Sequence, residues 1–296
     1  MICPSLPDTP SGFPLAIIGA GALGLHFAAR LAGCGPVAVL ARSAARAETL
    51  RAGLVVGDAR FRPQAFGPDD PLRAEWVLLL VKTGDTEAAA RQALHLQPHG
   101  ILSLQNGLTE SRLRAVCGSV PAAQGLTTEG AYRDSAGVHP AGAGETLLPP
   151  GFETLAAHLQ AAGFRARIEP DMGPARLAKL LVNLAINPLT ALHRVPNGAL
   201  LDAPYRVELE ALVDEAWPVL HAAGLRLDRT AAHARVVTVA AATAGNRSSM
   251  LQDVLAGRPT EIDAITGAVL DMASAQGRDL PLNRTVYTRI KGLAPP

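Results

Sequence analysis

The sequence predicts an open parallel α/β sheet in its first half and an all-helical second half, and three observations carry that expectation. The apolar run 14–18 leads at once into Gly19-Ala20-Gly21-Ala22-Leu23-Gly24 and a helix-forming stretch, and the apolar run 37–40 then closes a βαβ unit. Short apolar runs at 54–56, 76–81 and 101–104 alternate with Ala-rich helical pieces such as 86–94, the alternation of a parallel sheet. Beyond residue 174 only helical patterning remains, at 175–191, 200–223, 230–244, 248–256 and 261–276.

Between these halves, 125–148 has spaced glycines and alternates Tyr132, Val138 and Leu147, which predicts antiparallel strands extending the sheet. A helix at 151–162 and a strand at 166–168 follow, and Asp171-Met172-Gly173-Pro174 breaks the pattern. The expected domains are therefore 13–171, binding a dinucleotide, and 172–296, helical and carrying substrate and catalytic groups. The proline-containing start, residues 1 to about 12, has neither the basic opening nor the apolar run of a signal peptide and reads as a flexible leader.

Composition limits the partners. A chain of 296 residues, 48% hydrophobic and only 18% charged, is a folded protein rather than a disordered one. With 27 basic and 26 acidic side chains there is no overall field to recruit nucleic acid or an anionic membrane, so an anion must be bound locally. The stretch 177–192 is apolar but contains Lys179, Asn183 and Asn187, which reads as a buried helix rather than a membrane span. Cys3, Cys34 and Cys117 form no metal or disulfide pattern, which suits a reducing cytoplasm, and His95, His193, His221 and His233 have no metal-ligand spacing.

A GxGxxG run after an apolar strand and before a helix is the fingerprint of a Rossmann-type dinucleotide site. Gly19 permits the turn, Gly21 lets backbone approach the pyrophosphate, and Gly24 lets helix and strand pack closely, while phosphate meets the helix N-terminus beside Ala20, Ala22 and Leu23. The alternative is an ordinary glycine-rich turn. At the end of the second strand an acid would hold a ribose hydroxyl. The sequence has Arg42 instead, with Arg46 one turn on, which favours the 2′-phosphate of NADPH over a plain solvated loop. Lys82 and Asn106 end the next two strands where parallel sheets bind ligands, although either residue also suits a simple turn.

On the following helix, Lys179, Asn183 and Asn187 are four and four apart and share one face among apolar neighbours. Such a stripe needs either internal partners or a ligand, and a partly desolvated lysine suits acid–base work. Asn246, Ser248, Ser249 and Glu261 form a second group. Thr260 reads as a helix cap paired with Asp263, placing Glu261 at the first helical position; plain capping is the alternative.

With these residues in view the chain resembles the ketopantoate reductases. The likeness runs from about Leu15 to Ile290 and rests on the glycine motif, Val81-Lys82-Thr83, Leu104-Gln105-Asn106-Gly107, the block from Lys179 to Thr190, Val195-Pro196-Asn197-Gly198, Ser248 to Asp253 and Thr260 to Asp263. The resemblance implies NADPH-dependent reduction of 2-dehydropantoate to pantoate in pantothenate and coenzyme A synthesis, in a cleft between a Rossmann-type and an all-helical domain. It implies Lys179 as the general acid and Asn183, Asn187, Asn197, Asn246 and Ser249 as substrate-positioning groups. Glu261 would accept a substrate hydroxyl, and Arg42, Lys82 and Asn106 would contact cofactor or cleft. The expected partner is a small 2-keto acid, with a homodimer left open; a different keto acid, or a non-catalytic NADP sensor, are the competing functions. Position 129, often histidine in the family, is Glu129 here, and in the cleft it would oppose an acidic substrate.

Overall fold

The structure, a computed structural model, describes residues 11–293. It divides into two compact units, one comprising the chain up to Gln105 together with Glu110–Ile168, the other comprising Asn106–Thr109 and the chain from Glu169 onward. The expected flexible leader lies outside the described residues up to position 10, and positions 11 and 12 already belong to the first strand.

In the first unit, β1 (Ser11–Ile18), α1 (Ala22–Leu31) and β2 (Val37–Leu40) form the expected βαβ unit. After α2 (Ala44–Arg51) the chain makes a hairpin, β3 (Leu54–Val56) and β4 (Ala59–Phe61), before β5 (Gln64–Phe66) returns to the sheet. Next come β6 (Leu72–Leu79), α3 (Thr86–His95), β7 (Gly100–Ser103), α4 (Glu110–Cys117) and β8 (Ala122–Gln124). The sheet runs β5-β2-β1-β6-β7-β8 with every pair parallel.

Strands of this sheet read as near-continuous apolar runs because both faces are covered. Leu15 and Ile17 of β1 pack towards α1, among Leu25, Phe27 and Leu31, whereas Phe13, Ala16 and Ile18 join Ala89, Ala90 and Ala93 of α3 and Leu113 of α4 on the other face. Chain order advances from β1 to β2 and then reverses to β6 on the far side of β1, so the carboxyl ends of β1 and β6 lie together at the switch point where α/β sheets take ligands.

Two expectations need correction here. The run 54–56 is not a member of the main sheet: β3 buries only Val56 well, and it pairs with β4 and, in parallel, with β11 (Val138–Pro140). The edge position goes to β5, whose apolar signal is short because an edge strand is covered on fewer sides. The region 125–148 likewise does not extend the sheet. It forms β9 (Leu126–Thr127), β10 (Ala131–Arg133), β11 and β12 (Glu145–Leu148), divided between a β10-β11-β3-β4 sheet and a second small sheet in which β12 lies between β9 and the strand Arg165–Ile168. Strand β13 (Arg165–Ile168) pairs in parallel with β12 after α5 (Glu153–Ala161), a second βαβ unit.

The second unit is helical. Helix α6 (Met172–His193) is its axis and packs against α7 (Tyr205–Ala222), α8 (Arg229–Ala242), α9 (Ser249–Leu255) and α11 (Pro281–Lys291). Asp171 does not break a pattern but starts this helix: its side chain accepts from the Gly173 amide, and Pro174 sits in the first turn, where a missing N–H costs nothing. Leu180, Leu181, Leu184 and Leu189 of α6 are buried against Leu212 and Val213 of α7, Val236 of α8, and Val286 and Ile290 of α11. The helix after Glu261 begins with a π-helical turn, Asp263–Gly267, and continues as α10 (Ala268–Ala275). Helix α11 escapes the sequence patterning because its inward face includes Asn283, which donates to Glu215 and to the Leu212 carbonyl. Among the described residues no helix is long and apolar enough to cross a membrane.

A β-carbon on Gly24 would lie 1.8 Å from the Gly19 carbonyl oxygen, which neither backbone can avoid. Gly24→Ala should therefore destabilise the protein by about 1–3 kcal/mol or more despite alanine's better helix propensity. Chemical denaturation of the variant checks this.

Candidate functional site

The turn after β1 shows why each glycine stands where it does. Gly19 has φ +120°, and a β-carbon there would fall 2.5 Å from the Leu80 carbonyl carbon, so only glycine lets β1 and the end of β6 meet this closely. Gly24 presses α1 onto Gly19. Gly21 differs: it is exposed, and a β-carbon would meet nothing within 4 Å. Open space above the middle glycine, with the first-turn amides of α1 capped by no side chain and no acid in that turn, is what a pyrophosphate needs. The residues fit a dinucleotide.

Lys82 is exposed at the end of β6, and its backbone is fixed by a residue the sequence reading used only as part of a motif. The buried Gln105 amide donates to the Val81 and Lys82 carbonyls, while its Oε1 accepts from Ser103 and Thr86. Gln105 thus ties the carboxyl ends of β6 and β7 together. A buried glutamine directly after an apolar strand was the available signal, since a buried amide must be fully engaged. Arg42 is exposed just past β2, and Ser43 caps α2 by accepting from the Arg46 amide.

Asn106 goes elsewhere. Gly107, with φ +68°, passes so near the π-helical turn that a β-carbon would lie 2.2 Å from the Ala264 carbonyl oxygen. Residues Asn106–Thr109 therefore belong to the helical unit, and Asn106 Nδ2 donates to Glu261 Oε2 at 3.0 Å. Glu261 is 7% exposed and precedes the helix rather than opening it; its carbonyl accepts from the Ala264 and Ile265 amides. The predicted capping box is absent, because Asp263 turns to Tyr287 and Lys291 instead of back to Thr260. A π-helical turn adds a residue to the helix without adding a register step, which re-aims neighbouring side chains.

Lys179 lies near the start of the stripe on α6, close enough to Glu261 for the carboxylate to act on its charge. Burial lowers the lysine pKa to about 8, and the Glu261 charge offsets part of that fall. Asn183 is partly covered and Asn187 is buried, and neither amide is spent on another described side chain. Thr190, one turn beyond Asn187, bonds Ser248, which caps α9 through the Leu251 amide.

Asn197 is brought alongside. It is 8% exposed, its amide nitrogen donates to Thr243, its backbone donates to the Asn246 carbonyl, and its Oδ1 is buried with no hydrogen-bond partner among the described residues. Ser249 is exposed at the first turn of α9. The structure thus gathers Lys179, Glu261 and Asn106 by direct interaction, and links Asn187 through Thr190 to Ser248, and Asn197 to Asn246. Among the described residues no side-chain bond joins Ser249 to either group.

Glu129 does not stand as a free carboxylate. It is buried in the first unit, where Oε2 lies 3.3 Å from His26 Nε2 and 4.0 Å from Arg30, and Oε1 accepts from the Gly144 amide. Burial holds the His26 pKa below its usual value, with Glu129 pulling the other way. The residue that departs from the family pattern stands in a histidine–glutamate pair packed against α1.

The family model for ketopantoate reductase PanE/ApbA matches residues 15–151, and the model for ketopantoate reductase PanE/ApbA C terminal matches residues 171–294. The chain belongs to the ketopantoate reductase family. A 2-dehydropantoate 2-reductase of Pyrobaculum aerophilum is 35% identical over 283 residues, covering 94% of this chain and 96% of that one. The crystal structure of a probable 2-dehydropantoate 2-reductase from Bacillus subtilis superposes with a TM-score of 0.77 at 30% identity, over 94% of this chain and 99% of that one. D-mandelate dehydrogenase with NADH and anilino(oxo)acetate reaches a TM-score of 0.84 at 21% identity, over 94% and 97% of the two chains, a likeness of fold.

The folded-state pKa of Lys179, about 8, lies below its ordinary value of 10.5. Across that window the unfolded chain binds more protons, so stability should rise with pH between about 8 and 10.5, and the ammonium form should predominate below about 8. Glu261→Gln removes the charge that holds the ammonium and should move the Lys179 pKa lower still. NMR titration of ¹³C-methylated lysines reads both, with Lys82 and Lys291 as internal references.

Proposed function

We propose that this chain reduces 2-dehydropantoate to pantoate with NADPH, the first unit binding the dinucleotide and the helical unit supplying substrate contacts and the proton. The observation that carries the reading is Lys179 held beside Glu261 with its pKa drawn down to about 8. At neutral pH such a lysine is still an ammonium, yet it gives up its proton more readily than a solvated one, which is what a general acid needs.

The proposed roles follow from what each side chain has free. When bound, the reduced nicotinamide supplies the hydride to the keto carbon. The Lys179 ammonium donates its proton to the keto oxygen, so charge growing on that oxygen is stabilised and then neutralised, leaving the hydroxyl of pantoate. Glu261, oriented by the Asn106 amide, accepts a hydrogen bond from the substrate's hydroxyl. Asn106 in that arrangement holds Glu261, the carboxylate that accepts from the substrate hydroxyl. The uncommitted amides of Asn183 and Asn187 and the unpaired Oδ1 of Asn197 are candidates for the remaining polar atoms of the keto acid, with Asn246 and Ser249 in supporting positions.

On the cofactor side, Gly19, Ala20, Gly21, Ala22, Leu23 and Gly24 would cradle the pyrophosphate at the α1 N-terminus, and Lys82 would stand at the end of β6 beside it. NADPH rather than NADH rests on Arg42, an always-charged planar donor where an acid would be needed for an unmodified ribose.

Turnover with NADPH across a panel of 2-keto acids tests the substrate: activity confined to 2-dehydropantoate is expected, and activity confined to another acid would overturn that assignment. Lys179→Ala should reduce kcat by about 10²-fold or more with NADPH affinity nearly intact. Arg42→Asp should weaken NADPH far more than NADH, read as the ratio of their dissociation constants.

A further inference from the structure

The turn between β2 and α2 carries Arg42, the first turn of α2 carries Arg46, and a third guanidinium from a distant part of the chain acts on Arg46. Arg133, the last residue of β10, is close enough to Arg46 for their charges to oppose each other, and so is Arg42. Arg46 is partly buried there, and its pKa is lowered first by that burial, then by Arg133 and then by Arg42.

Elsewhere in this chain arginines find carboxylates: Arg51 pairs with Asp70, Arg167 with Glu145, Arg229 with Asp214. Arg42, Arg46 and Arg133 do not, and among the described residues no side-chain hydrogen bond or ion pair engages any of the three. The acid next in sequence, Asp134, is committed to its own turn, accepting from the Ala136 and Gly137 amides and bonding His139. Like charges gathered without a counterion raise the free energy of the folded state, and a bound dianion removes that cost.

The hairpin that presents Arg133 is anchored rather than loose. Arg133 pairs with Val138, the buried Val138 pairs with Val56 of β3, and the Gly57 amide donates to the Val138 carbonyl. Gly137 has φ +154°, and a β-carbon there would lie 2.5 Å from the Val55 carbonyl oxygen, so β11 lies tightly on the strand that directly follows α2. Backbone pairing thereby fixes the backbone of Arg133 relative to β3, the strand that directly follows α2.

We propose that Arg133 is a third ligand of the 2′-phosphate of NADPH, completing from the β10–β11 hairpin the cluster that Arg42 and Arg46 begin. The inference rests on the NADPH reading and extends it to a residue the dinucleotide fingerprint does not contain. Three planar donors can surround a tetrahedral dianion from more than one side, and a nucleotide lacking that phosphate gains nothing from the third.

Calorimetric titration with 2′,5′-ADP and with 5′-ADP tests it without turnover. Wild-type protein should bind 2′,5′-ADP more tightly; Arg133→Ala should weaken that binding about tenfold and leave 5′-ADP within twofold. Arg133→Lys should recover part of the loss, since charge returns without the fork. Arg133 is exposed, so the melting temperature of Arg133→Ala should match the wild type. Unchanged 2′,5′-ADP binding in Arg133→Ala, alongside a loss in Arg42→Ala, would overturn the role of Arg133 while keeping the NADPH reading. An equal loss of both nucleotides would also overturn it. Wild-type protein that does not distinguish the two nucleotides would overturn both readings together.

Discussion

Everything in the first unit follows from how closely three pieces of backbone meet at one point. The end of β1, the start of α1 and the end of β6 approach within distances that leave no room for a β-carbon at Gly19 or Gly24. That contact fixes α1 with its N-terminal amides aimed past the strand ends. It also places the open side of Gly21 where the sheet's chain order reverses. A looser junction would leave the same residues without a shared direction for an anion to enter.

The helical unit has its own constraint, the cost of keeping polar groups on a buried face. Helix α6 gives most of its surface to the apolar core and reserves one stripe for Lys179, Asn183 and Asn187. A lysine in such a place survives because Glu261 stands near it, and Glu261 in turn is held by the Asn106 amide. The π-helical turn after Glu261 and the glycine at position 107 let the loop and the helix come this close. The chain thus lends a loop that leaves the sheet's strand order to the helical unit, where the Asn106 amide donates to the Glu261 carboxylate.

Departures from the family pattern acquire meaning only in this setting. Glu129 looks hostile to an acidic substrate when read alone, but folding gives it His26, Arg30 and the Gly144 amide as partners. Three arginines present the opposite case: Arg42 and Arg133 both act on Arg46, and among the described residues no carboxylate pairs with any of them, so they form a local field in a chain of nearly neutral overall charge.

The sequence by itself determined the parallel sheet, the glycine fingerprint and the three-residue polar stripe on α6, because each depends on local periodicity or on a glycine's freedom within a few residues. It also placed Arg42 correctly just past β2. Tertiary structure alone decided that 54–56 leaves the main sheet, that the strands of 125–148 build separate small sheets, and that Asp171 caps the long helix α6. It alone brought Asn106 to Glu261, Arg133 to Arg46 and Gln105 to the end of β6. Strand pairing and electrostatic proximity join residues tens or hundreds of positions apart, and no local pattern records which distant backbone will supply the partner.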